Sequence, residues 1–133
     1  MGKFGYDDVK SVVFRVTDPG ADDKQIHVWR APQSCEILRG YIACMTAQGA
    51  GSAGAFQLEN WGTAGTAVQG TITTSKGGTA TSARMSAETP YALTVSEGTL
   101  AAGEWVVLDY QETGDWVEVS VTICFDYVDG IGA

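Results

Sequence analysis

Apolar and polar positions alternate most clearly near the end of the chain. Val117, Val119, Val121, Ile123, Phe125 and Tyr127 are apolar, and Glu118, Ser120, Thr122, Cys124 and Asp126 fall between them. A period of two marks a β-strand with one dry face. A second apolar stretch, 105–111, runs into Glu112-Thr113-Gly114-Asp115, a tetrad of turn-forming residues. The pattern predicts an antiparallel hairpin with Thr113-Gly114 as its loop, so that Gln111 faces Trp116, Leu108 faces Val119 and Val106 faces Val121. Val106, Leu108 and Tyr110 then form the inner face with Val117, Val119 and Val121. Trp105, Val107, Asp109, Trp116 and Glu118 form the outer one.

Six further strands are predicted upstream. Residues 9–16 place Val12, Phe14 and Val16 on one face, and 25–29 form a short strand ended by Ala31-Pro32. Residues 36–46 are apolar on both faces, with Ile37, Tyr41, Ala43 and Met45 against Leu38, Ile42 and Cys44. Such a strand is either buried on both sides or covered outside by a partner subunit. Residues 56–61, 68–74 (Val68 and Ile72 on one face) and 91–95 complete the set. Residues 48–54 read as a flexible small-residue stretch, 76–82 as a loop and 98–104 as a connector. No segment supports a helix of about ten residues. Eight strands separated by turn signals predict an all-β, single-domain antiparallel β-sandwich or jelly roll. Residues 1–10 read as an arm that orders only on a partner, and 11–133 as the sandwich.

Composition agrees with that architecture. The 133 residues include 17 Gly and only 3 Pro, with 44% hydrophobic residues. A domain of this size buries about two-thirds of its unfolded surface and needs no covalent staples. Nothing approaches the roughly 20 apolar residues of a membrane span, and no apolar segment follows Lys3 to make a signal peptide. These features predict folding in a reducing cytoplasm. Cys35, Cys44 and Cys124 are odd in number and form no paired motif, so they are expected as buried or half-buried thiols. The net charge is −8, and no Lys or Arg occurs from Glu88 onward. That balance argues against nucleic-acid binding.

Candidate chemistry is sparse. Gly49-Ala50-Gly51-Ser52-Ala53-Gly54 matches a dinucleotide fingerprint in letters, but no helix follows and no acid lies between Glu59 and Glu88. Ser52 is nearly in a nucleophile-elbow context, yet the only histidine, His27, lies upstream. A lone His and unpaired thiols exclude the commoner zinc sites. Asp18, Asp22 and Asp23 share a loop, read as a solvated turn or a calcium site without EF-hand spacing. In the predicted hairpin Asp109 lies opposite Glu118, so solvent screens them or a partner cation sits there. A catalytic carboxylate pair would need a cleft lined by aromatics. Trp29, Trp61, Trp105 and Trp116 are candidates for a subunit interface, a sugar platform or cover by a loop. No catalytic, cofactor or metal residues are assigned, and no enzyme activity is expected.

The order of the elements resembles small β-sandwich structural proteins of tailed bacteriophages. The resemblance rests on Val12-Val13-Phe14-Arg15-Val16, Ala31-Pro32, the long strand at 36–45, the Thr-rich 68–74, Ala102-Gly103-Glu104 and the alternating 117–127. Three cysteines and four tryptophans exceed the usual pattern. The resemblance implies a capsid decoration (cement) protein that stabilises the head by bridging neighbouring major capsid subunits. It implies homotrimers on the virion exterior, assembled in the host cytoplasm, with no cofactor, nucleic-acid or membrane partner. Phe4, Tyr6, Trp29, Arg30, Trp61, Trp105, Val107, Asp109, Trp116 and Glu118 are the expected partner-interface residues. A carbohydrate-binding β-sandwich module and a head or tail fibre accessory protein are the alternatives.

Overall fold

A computed structural model describes residues 9–16, 23–48, 52–76, 84–114 and 118–128. Nine strands follow in chain order: β1 Lys10–Val16, β2 Asp23–Arg30, β3 Cys35–Cys44, β4 Ser52–Asn60, β5 Gly70–Thr71, β6 Tyr91–Leu93, β7 Thr99–Leu100, β8 Trp105–Gly114 and β9 Val119–Tyr127. They form two antiparallel sheets. Sheet A has the order β1-β9-β3-β6, with β7 also paired to β3; sheet B has the order β2-β8-β4-β5. The expected all-β sandwich is therefore the fold.

Apolar side chains from both inner faces fill the space between the sheets. Val106, Leu108 and Tyr110 come from β8, Phe56 and Leu58 from β4, and Val119, Val121, Ile123 and Phe125 from β9. Phe56 and Tyr110 meet edge to face with ring centroids 4.6 Å apart, a geometry that adds to plain area burial. Lys10 opens β1 opposite Phe125, while residues 1–8, including Phe4 and Tyr6, lie outside the described residues.

The predicted terminal hairpin does not form. β8 pairs with β2 and β4 in sheet B, and β9 with β1 and β3 in sheet A. The alternation correctly gives the inward residues, but these two dry faces oppose each other across the core instead of lying side by side. The turn-forming residues Glu112, Thr113 and Gly114 extend β8, paired with Gly54, Ala53 and Ser52. That same ladder makes a strand of part of the segment read as flexible. Asp109 and Glu118 accordingly sit on different sheets and form no carboxylate pair.

Two β-bulges shift the expected facing. The register of β3 slips between Ile37 and Arg39, so Ile37 points inward with Ile42 and Cys44, while Leu38 is exposed. In β2 the register slips between His27 and Trp29. Trp29 thereby turns off the outer face and packs on Phe125 at 4.6 Å. Val68 also departs from its prediction. The strand begins only at Gly70, leaving Val68 53% exposed while Ile72 is fully buried. The connector at 98–104 contains β7, paired to β3 at Cys35 and Glu36.

Candidate partner-binding faces

The outer face of sheet B closes on itself. Cross-strand register aligns Gln25, Asp109 and Gln57 in one row and His27, Val107 and Glu59 in the next. The Gln25 amide donates to Asp109 Oδ1 at 3.1 Å. The Gln57 amide and the Trp61 indole N–H donate to the two oxygens of Glu59, at 2.9 and 3.0 Å. Asp109 and Glu59 are thus nearly buried yet hydrogen-bonded, as desolvated carboxylates must be.

His27 anchors the aromatic part of this face. Its ring meets Trp61 and Trp105 edgewise, at 5.5 and 5.4 Å. Its Nε2 lies 2.7 Å from the Gly65 carbonyl oxygen. A carbonyl only accepts, so Nε2 carries the proton. Gly65 has φ +68°, and a Cβ there would stand 2.6 Å from Trp105 Cδ1. Only glycine allows the backbone to approach the indole so closely. The Arg30 guanidinium lies 5.7 Å from the Trp105 ring centroid and its Nε donates to Gly103 O at 3.0 Å. Beneath these groups Val107 is fully buried although it lies outside the central core.

The outer face of sheet A is barer. One row runs Val13, Thr122, Tyr41, Ala92; the next runs Arg15, Ser120, Ala43. Val13, Leu38 and Met45 are exposed here. Arg15 lies 3.5 Å from Glu118 in an exposed ion pair. A notch of about 280 Å³ opens on this face, lined by Tyr41, Ala43, Met45, Glu88, Pro90 and Thr122 among others.

The groups that could do chemistry are occupied or dispersed. Among the described residues no three His, Cys, Asp or Glu side chains converge to hold a metal ion. Cys35 and Cys44 are buried and Cys124 half-buried, all as free thiols, as the odd count predicts. Burial pushes the Cys35 thiol up to about 11. The Asp18, Asp22 and Asp23 side chains and Trp116 fall outside what the structure describes.

Trp61, Trp105, Val107, Asp109 and Arg30 do share one side of the sandwich, whereas Glu118 borders sheet A and Trp29 faces the core. His27, Gly65 and Glu59 complete the sheet B cluster and were not among the expected interface residues. His27 was legible as outward by parity with Gln25; Gly65 gave no signal, because its role depends on contacts with β2 and β8 that are distant in the chain. The sheet A face had one sequence signal, the apolar residues on both sides of 36–46.

No protein-family model matches the sequence, and comparison with curated proteins finds no match. Two solved structures share the fold. One is a chain of the acidic stable capsid structure of Helicobacter pylori bacteriophage KHP30, with a TM-score of 0.60 and 10% identity, over 89% of this chain and 85% of that one. The other is a chain of the capsid asymmetric unit of cyanophage Pam1, with a TM-score of 0.52 and 13% identity, over 90% and 84%. At these identities the likeness is one of fold.

Proposed function

We propose that this chain is a bacteriophage virion structural protein, and within that class a capsid decoration protein bridging neighbouring major capsid subunits on the outside of the head. The observation that carries the proposal is the shared fold with chains of two phage capsid structures over about nine-tenths of this chain. A shared fold argues by analogy, and the surface adds physical support. The row from Val13 through Thr122 and Tyr41 to Ala92 on sheet A is uncharged and carries exposed Val13. The mechanism would be burial of surface across capsid subunits, with self-association supplying multivalency.

Electron microscopy of phage particles with and without the protein tests this reading. The expected result is extra density on the shell exterior and particles that release DNA at a lower temperature when the protein is missing. Particles that neither contain the protein nor change in stability would overturn it. Removing residues 1–8 is expected to weaken shell binding at unchanged thermal stability of the free protein; unchanged binding would remove the arm from the proposal.

One observation favours carbohydrate binding as a second reading. Trp61 lines an open notch of about 360 Å³ together with Thr63, Thr66, Gln69 and Glu104, an aromatic beside polar groups. The Trp61 N–H is already committed to Glu59, so a sugar would use the ring alone. Glycan-dependent quenching of tryptophan fluorescence, abolished by Trp61→Ala, would support this reading over the first.

A further inference from the structure

The two outer faces are finished differently. On sheet B the polar side chains satisfy one another and the 61–69 segment covers Trp105. On sheet A, three of the six large apolar side chains exposed among the described residues, Val13, Leu38 and Met45, remain open. Val13, the most exposed of them, lies in the uncharged row that runs through Thr122 and Tyr41 to Ala92.

Two features on this face are complementary. The first is a knob on β1: Val13, 63% exposed, with Arg15 as the next outward residue. The Arg15 side chain is 62% exposed and its contact with Glu118 is solvent-exposed, a kind of pair that contributes little. The second is the notch over β3, lined by Tyr41, Ala43, Ser120 and Thr122 and bordered by Met45 and Pro90. Glu88 stands on its rim with φ 56°, a left-handed backbone uncommon for a non-glycine residue. Its backbone is fixed there by donation from Glu88 N to Cys44 O at 2.8 Å. The Glu88 carboxylate has no hydrogen bond or ion pair among the described residues.

Their levels along the strands match. Val13 lies in the row of Thr122 and Tyr41, and Arg15 in the row of Ser120 and Ala43. Glu88, tied to Cys44, lies at about the level of that second row. The knob stands on β1 at one margin of the sheet, and the notch runs from Ser120 and Thr122 of β9 across β3 to Glu88 and Pro90 at the other. A twofold axis along the strands between β9 and β3 carries β1 of one copy over the β6 side of the other. Val13 then meets the notch and Arg15 meets Glu88, twice over, as an isologous contact requires.

We propose that the outer face of sheet A is a self-interface that pairs two copies of this chain, with Val13 seated in the partner's notch and Arg15 bridging to Glu88. The pairing concerns the chain's contact with itself and stands whether or not the capsid reading holds. It calls for two copies, not the three that the family resemblance implies.

Sedimentation equilibrium of the full chain tests it. The unaltered protein is expected as a two-chain species at micromolar concentration. Val13→Asp is expected to give monomers with unchanged far-ultraviolet circular dichroism. Arg15→Glu and Glu88→Arg should each weaken pairing by about tenfold or more, and the double variant should recover most of the loss, because opposite charges are again apposed. A monomer at the highest soluble concentration, a three-chain mass, or a double variant no better than the singles would overturn the proposal. Particle imaging reads the capsid role separately, so failure of one proposal is distinguishable from failure of the other.

Discussion

At Gly65 the missing side chain lets a loop carbonyl reach His27 while the backbone rests on Trp105. A methyl group there meets the indole and also requires the left-handed backbone. Gly65→Ala is therefore expected to lower stability by about 1–3 kcal/mol and to red-shift tryptophan emission as Trp105 becomes wetter; urea melts followed by fluorescence read both. Trp29 makes the opposite case. It was expected as an interface residue with the other tryptophans, whereas the bulge packs it on Phe125. Trp29→Ala should cost about 3 kcal/mol of folding stability, measurable by calorimetry on the free protein. Cys35 supplies a pH prediction. Its folded pKa of about 11 lies above the ordinary value of 9.0. The native state then holds a proton that the unfolded state loses, so stability should fall as pH rises from 9 to about 11. Below pH 9 the thiol should resist alkylation until the protein is denatured, while half-buried Cys124 reacts first. The burial of Cys35 was legible from the odd, unpaired cysteines; the bulge at Trp29 was not legible, because an extra residue in a strand leaves no mark in composition or period.

Among the elements, β3 depends on a close backbone approach. Ile37 N donates to Gly98 O at 2.8 Å, and a Cβ on Gly98 would fall on the Ile37 carbonyl oxygen. Gly98→Ala is expected to cost about 2–3 kcal/mol, read as a lower urea midpoint with an unchanged denaturant slope. The eight predicted strands all lie in or against observed strands, because each alternating run buries one side. Which strands are neighbours was not legible. The dry faces of β8 and β9 satisfy the same pattern whether they lie beside each other in one sheet or across the core in two. The decision is made by partners distant in sequence. Asp23–Arg30 and Ser52–Asn60 flank β8, and their ladders draw Glu112 to Gly114 out of the expected turn. The candidate site inherited that error, since the hairpin placed Glu118 beside Asp109. The two-sided apolar character of β3 was the better guide, because it reports the sheet and not the turn.

For the molecule as a whole, the two sheets have divided their roles. Sheet B carries the chain's only histidine and the aromatic cluster, closed by internal hydrogen bonds. Sheet A carries the exposed Val13 row and the ladders that β9 forms with β1 and β3. That strand lies between β1 and β3 and is antiparallel to both, pairing along the whole of Lys10–Val16 and from Cys35 to Cys44. A chain truncated after residue 118 should therefore lose cooperative unfolding altogether, as seen by circular dichroism, because β1 keeps no partner in its sheet. The same arrangement sets the timing of folding during synthesis. β1 and β3 leave the ribosome early, but the strand that joins them is made after more than seventy further residues. Until then both wait with exposed edges that invite pairing with other nascent chains. Slow translation or high expression should thus favour aggregation, and supplying 118–128 as a separate peptide should rescue the truncated chain if β9 is the strand that is missing.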